Sequence, residues 1–128
     1  METSRHKLRE VGMTCLYQTL LTKIDIREVV FNNSESNEID PFLYTITIDA
    51  YNNKDKYIEL INKHINKEWT YDRLGYVEKA ILLLACCELD SNTCDRAIVI
   101  DEAINLTKKF CDEETYKLIN GLLDKIYR

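Results

Sequence analysis

Between Val77 and Leu89 the chain carries only three polar residues, Glu78, Lys79 and Glu88. A surface helix shows one apolar stripe, whereas a helix that is apolar nearly all round must be enclosed by neighbours. The run is too short for a bilayer, where a span takes roughly 20 apolar residues. It therefore reads as a buried central helix around which the other elements pack. Upstream, Thr70 can cap its start, with Trp69 and Leu74 at the spacing of a hydrophobic staple. Gly75 gives the chain a place to bend before the buried run. Glu78 and Lys79, in the first turns, are the charges expected to reach the surface.

Helical spacing recurs on both sides of this run. Ser4 can cap a helix over residues 4–22, with Leu8, Val11, Cys15, Leu16 and Leu20 on its inner face. Ile26, Val29, Val30 and Phe31 form a short apolar patch, followed by a loop rich in Asn, Ser and Glu. Pro41 suits the first position of a helix carrying Phe42, Leu43, Ile46 and Ala50. The alternation of Thr45 to Ile48 could pass for a strand, but no partner strand is apparent, so it is read as helix. Lys54 to Lys67 repeats the helical pattern through Tyr57, Ile58, Ile61 and Ile65, with His64 at its edge. After a polar connection from Asp90 to Asp95, Val99, Ile100, Ala103, Ile104 and Phe110 mark a further helix. Asp112 can cap a last one, carried by Ile119, Leu122, Leu123 and Ile126. Asn120-Gly121 falls inside it at a propensity cost of roughly 1 kcal/mol, a reading in which Gly121 permits close backbone approach. The expectation is an all-α fold: a compact bundle of about six or seven short helices around a buried central helix, one domain over residues 1–128.

Charge and cysteine usage narrow the function. With net charge −5, unaided nucleic-acid binding is disfavoured, because neutralised phosphates supply most of such affinity. The exception is the first helix, where Arg5, His6, Lys7 and Arg9 gather at a positive helix end that ordinarily favours acids. An anion would resolve that conflict; the bland alternative is a solvated basic end offset by Glu2 and Glu10. Arg5 and Arg9, four apart, share one side of the helix. The five cysteines lack any metal-ligand or CxxC spacing, so no metal or other cofactor is expected. Cys15, Cys86 and Cys87 read as small buried hydrophobes. No secretion signal and no membrane span are apparent, which points to the cytoplasm.

Four ordered motifs carry a resemblance. Residues 9–18 (REVGMTCLYQ) look like the opening helix of the transcription antitermination factor NusB family. Tyr71-Asp72-Arg73-Leu74 with Val77 to Leu82 and Glu88-Leu89 resembles its central helix. Val99 to Ile104 with Lys108-Lys109-Phe110, then Ile119 to Lys125, resembles its C-terminal half. The resemblance implies a helical RNA-binding protein without enzymatic activity. It would hold the boxA element of nascent ribosomal RNA together with the ribosomal protein NusE, within the transcription elongation complex. Carried over by position, Arg5, Lys7, Arg9, Lys117 and Leu118 would meet RNA, and Tyr17, Glu78 and Glu114 would meet the protein partner. The chain departs from the family pattern in its thinned basic cluster, in Leu118 where Phe is common, and in Asp101 before Glu102-Ala103. Rival readings are a helical protein–protein module without RNA binding and the NusB-like domain of a ribosomal RNA cytosine methyltransferase. Against the latter, no glycine-rich nucleotide-binding segment and no catalytic Cys motif follows in the sequence, which ends at Arg128. A thiol enzyme is weaker still, since no His is placed near a Cys.

Overall fold

The computed structural model describes residues 4–34, 38–66 and 68–127; Glu2, residues 35–37 of the polar loop, Lys67 and Arg128 lie outside them. In chain order the elements are α1 (Arg5–Thr22), α2 (Ile26–Asn33), α3 (Pro41–Tyr44), a π turn (Thr45–Asp49), α4 (Ala50–Asn52), α5 (Lys54–His64), a 3-10 turn (Tyr71–Arg73), α6 (Tyr76–Ser91), α7 (Arg96–Phe110) and α8 (Glu113–Ile126). The described residues contain no strand, so Thr45 to Ile48 is helical, as read from the sequence.

Helix α6 is the axis. Every residue from Ala80 to Glu88 is buried, and α1, α5, α7 and α8 all pack against it. Helix α1 runs antiparallel to it, with Arg9 beside Glu88 and Gly12 beside Leu84. Gly12 permits that close approach: a Cβ there would stand 2.8 Å from Ile46 Cδ1 and 3.3 Å from Leu84 Cδ1. The π turn contributes Ile46, Thr47 and Ile48, all buried. The Thr45 carbonyl, which accepts the Ala50 amide within the turn, also accepts from the Cys87 thiol at 3.2 Å, and Thr47 Oγ1 donates to Leu43 O at 2.6 Å.

Caps fall largely where side-chain chemistry places them. Ser4 accepts from the Lys7 amide, Asp40 from Phe42 and Leu43 ahead of Pro41, and Asp112 from Thr115. Four expectations are corrected. The central helix begins at Tyr76; Thr70 precedes only a 3-10 turn and makes no capping bond, because Leu74 and Gly75 are extended and break the helix. Helix α5 stops at His64, with Ile65 extended. Helix α6 continues to Ser91, and Asn92 ends it in the left-handed conformation that Asn tolerates. Gly121 is mid-helix as expected, yet a Cβ there would meet nothing within 4 Å, so no close approach within the chain requires it.

Candidate nucleic-acid and partner interface

The four basic residues at the start of α1 separate into two kinds. Arg5 is exposed; its Nη1 donates to Thr93 O at 2.8 Å and its guanidinium lies 4.4 Å from the Phe42 ring centre. Lys7 is exposed near Glu10 at 4.0 Å, and His6 Nδ1 stands 2.9 Å from Glu102. Arg9 differs. It is only 3% exposed and meets Glu88, 0% exposed, in a bidentate pair with both bonds at 2.8 Å. Thr93 Oγ1 donates to the same carboxylate at 2.8 Å, so Glu88 accepts three hydrogen bonds while carrying a charge that burial would otherwise penalise. The Glu88 bond holds the Arg9 guanidinium still more firmly protonated than usual. In this structure Arg9 is therefore committed to Glu88 and withdrawn from solvent, unlike Arg5. The helical spacing was right about the shared side, and both guanidinia do face Phe42. What spacing could not show is that Glu88, the one acid deep in the apolar run, lies opposite.

At the other end of α6, one groove lies beside the first turns of α8 and a smaller one runs along its middle and C-terminal turns. The larger, about 450 Å³, lies between Trp69, Arg73, Gly75 and Glu78 on one side and Glu114 and Leu118 on the other. The Glu78 carboxylate is folded back over the α6 N-terminus; a Cβ on Gly75 would stand 2.4 Å from its Oε2. That placement suits the positive helix end. Trp69 remains 41% exposed with Arg73 stacked 5.5 Å from its ring centre, an aromatic and a cation facing solvent together. The smaller groove, about 180 Å³, runs past Leu118 between α8 and the end of α5.

Comparison with known proteins identifies the arrangement. The NusB family model matches residues 6–128. The chain belongs to the NusB family. It is 34% identical to the transcription antitermination protein NusB of an Exiguobacterium species, over 97% of each chain. It is 35% identical to that of Sulfurimonas denitrificans, over 96% of each. Among solved structures, NusB of T. maritima superposes with a TM-score of 0.84 at 26% identity, covering 99% of this chain and 92% of that one. A chain from the crystal structure of the antitermination factors NusB and NusE in complex with double-stranded RNA gives a TM-score of 0.81 at 28% identity, covering 96% and 95%.

On this NusB fold the expected positions fall into two groups. Arg5 stands near the C-terminal end of α6, beside Thr93, and Lys7 lies in the same first turn of α1, near Glu10. Leu118, Glu78 and Glu114 share the larger groove at its N-terminal end, and Lys117 borders the smaller one. Sixteen residues of helix put about 24 Å between the two ends. Tyr17 is half-buried against the core and lines neither groove. Sequence reasoning gave no site role to Arg73, which lies inside a quoted motif, and read Trp69 only as a staple partner of Leu74. It missed Phe42 as a stacking platform because only the fold brings α3 against α1. Burial pushes the Cys86 thiol up to about 12 and the Cys15 thiol to about 11, which disfavours the reactive thiolate at both. The described residues include no cluster of acids, His and Cys able to hold a metal ion, and no helix long and apolar enough to cross a membrane.

Proposed function

We propose that this chain is a cytoplasmic, non-enzymatic transcription antitermination factor, acting as a single domain that binds boxA-type nascent ribosomal RNA jointly with the ribosomal protein NusE. The observation that carries the reading is its near-full-length likeness to a protein solved with NusE and RNA. Electrostatics supports the joint mode. At net charge −5 the free chain repels a polyanion, and its exposed N-terminal cations, Arg5 and Lys7, allow only a few phosphate contacts. A basic ribosomal protein would be steered to the acidic side of the larger groove, where Glu78 and Glu114 converge. The pair would then offer RNA a positive track that neither protein has alone.

Titration of labelled boxA-type RNA, with and without NusE, tests this. NusE should tighten binding tenfold or more, about 1.4 kcal/mol of coupling. Glu78→Lys should impair NusE binding and leave the weak NusE-free RNA binding intact. Because a lysine at the α6 N-terminus also costs on the order of 1 kcal/mol of stability, Glu78→Gln serves as the folded control. Equal affinity with and without NusE, or an undisturbed pair in Glu78→Lys, would sink the reading.

A further inference from the structure

We infer that the smaller groove, centred on Gly121, seats the sugar–phosphate backbone of an RNA strand. The inference rests on the RNA-binding reading above and extends it to Gly121, Lys125 and His64. Gly121 lies in the interior of α8, a helix of 14 residues. It weakens that helix, yet nothing in the chain needs the space: the position is exposed and a Cβ would meet no atom within 4 Å. Gly12 shows the opposite case, where packing itself excludes a side chain. A glycine without a packing reason leaves bare helix backbone open to something from outside.

Its surroundings name the chemistry of that visitor. Lys117, Gly121 and Lys125 are spaced by one turn each and so form a single stripe, with the two ammonium groups anchored about 12 Å apart. Across the groove stands His64, whose Nδ1 donates to Leu60 O at 3.0 Å and is thereby fixed by its own helix. Among the described residues lining this groove there is no carboxylate, in a chain whose net charge is −5. Glu113 reaches to 4.0 Å from the Lys117 ammonium, but both are more than 70% exposed, so the contact is weak and easily exchanged for a phosphate. Leu118 belongs to this groove and to the larger one, which makes the surface continuous. A strand meeting Lys117 and Leu118 can continue over Gly121 towards Lys125, its backbone lying close to the helix because no side chain intervenes.

The test uses the full chain with NusE and labelled boxA-type RNA, titrated across a range of salt. Gly121→Gln should raise the melting temperature, since glutamine is the better helix former, while weakening RNA binding fivefold or more. A Lys117→Ala/Lys125→Ala double variant should make the log–log salt dependence shallower by on the order of one unit. Unchanged RNA affinity in Gly121→Gln, or an unchanged salt slope in the double variant, overturns the assignment. Loss of NusE binding with RNA affinity intact would make the groove a protein seat and overturns it too. Failure of the wild-type pair to bind RNA at all would instead remove the parent reading, and this inference with it.

Discussion

Single side chains here have roles that their residue types alone do not announce. Arg5 and Arg9 sit one turn apart and both face Phe42, yet one is exposed and the other is locked to Glu88. Removing one member of a buried pair leaves an uncompensated charge, typically at 3–5 kcal/mol. Arg9→Ala and Glu88→Ala should each destabilise by about that much in urea unfolding, and Arg5→Ala by about 1 kcal/mol or less. Equal small effects for both arginines would refute the assignment. Glu10 offers a second residue-scale handle. Its carboxylate accepts from Lys109 Nζ at 2.6 Å, and that bond holds it below the usual carboxylate range; the Thr115 amide does the same for Asp112. For an acid lowered in the folded state, the stabilisation is complete above the unfolded pKa of about 4 and is lost as pH falls through the folded value. Stability should therefore decline below about pH 4, and Glu10→Gln with Asp112→Asn should flatten that decline. A parallel pH profile in the double variant would contradict this.

At the scale of elements, two helical glycines make opposite demands. Gly12 sits where α1 meets the π turn and α6, so Gly12→Ala drives a methyl into buried Ile46. Overpacking of this kind costs about 1–3 kcal/mol, against roughly 1 kcal/mol gained in helix propensity; a net loss is expected. Gly121→Ala has nothing to strike and should stabilise by up to about 1 kcal/mol. Thermal melts of the two variants should move in opposite directions, and a shared sign would show the local packing to be misread. Which of the longer elements exist was legible in the sequence, because apolar spacing marks them, and Ser4, Pro41 and Asp112 mark where three helices start. Where α6 begins was not, since Thr70 mimics a cap and the break at Leu74-Gly75 is set by backbone geometry. The π turn was equally hidden: Thr45 to Ile48 carries no signal separating a five-residue ring from a four-residue one.

For the whole molecule, the decisive information is which distant residues meet. Glu78, Glu114 and Leu118 could be named from motifs, but their convergence in one groove depends on α8 folding back to the start of α6. Glu88 could be seen as an acid in an apolar run, but its partner is 79 positions away. That separation reaches beyond the finished structure to how the chain is made. At about 5–20 residues per second, some 4–16 s pass between the synthesis of Arg9 and that of Glu88. During that interval the first helix holds a guanidinium shaped for a site that does not yet exist, with Thr93 later still in completing it. The opening helix therefore cannot dock in its final register while it is being translated. It can meet α2, α3 and the π turn as they emerge, but its seam with α6 closes only once α6 and the turn after it have left the ribosome.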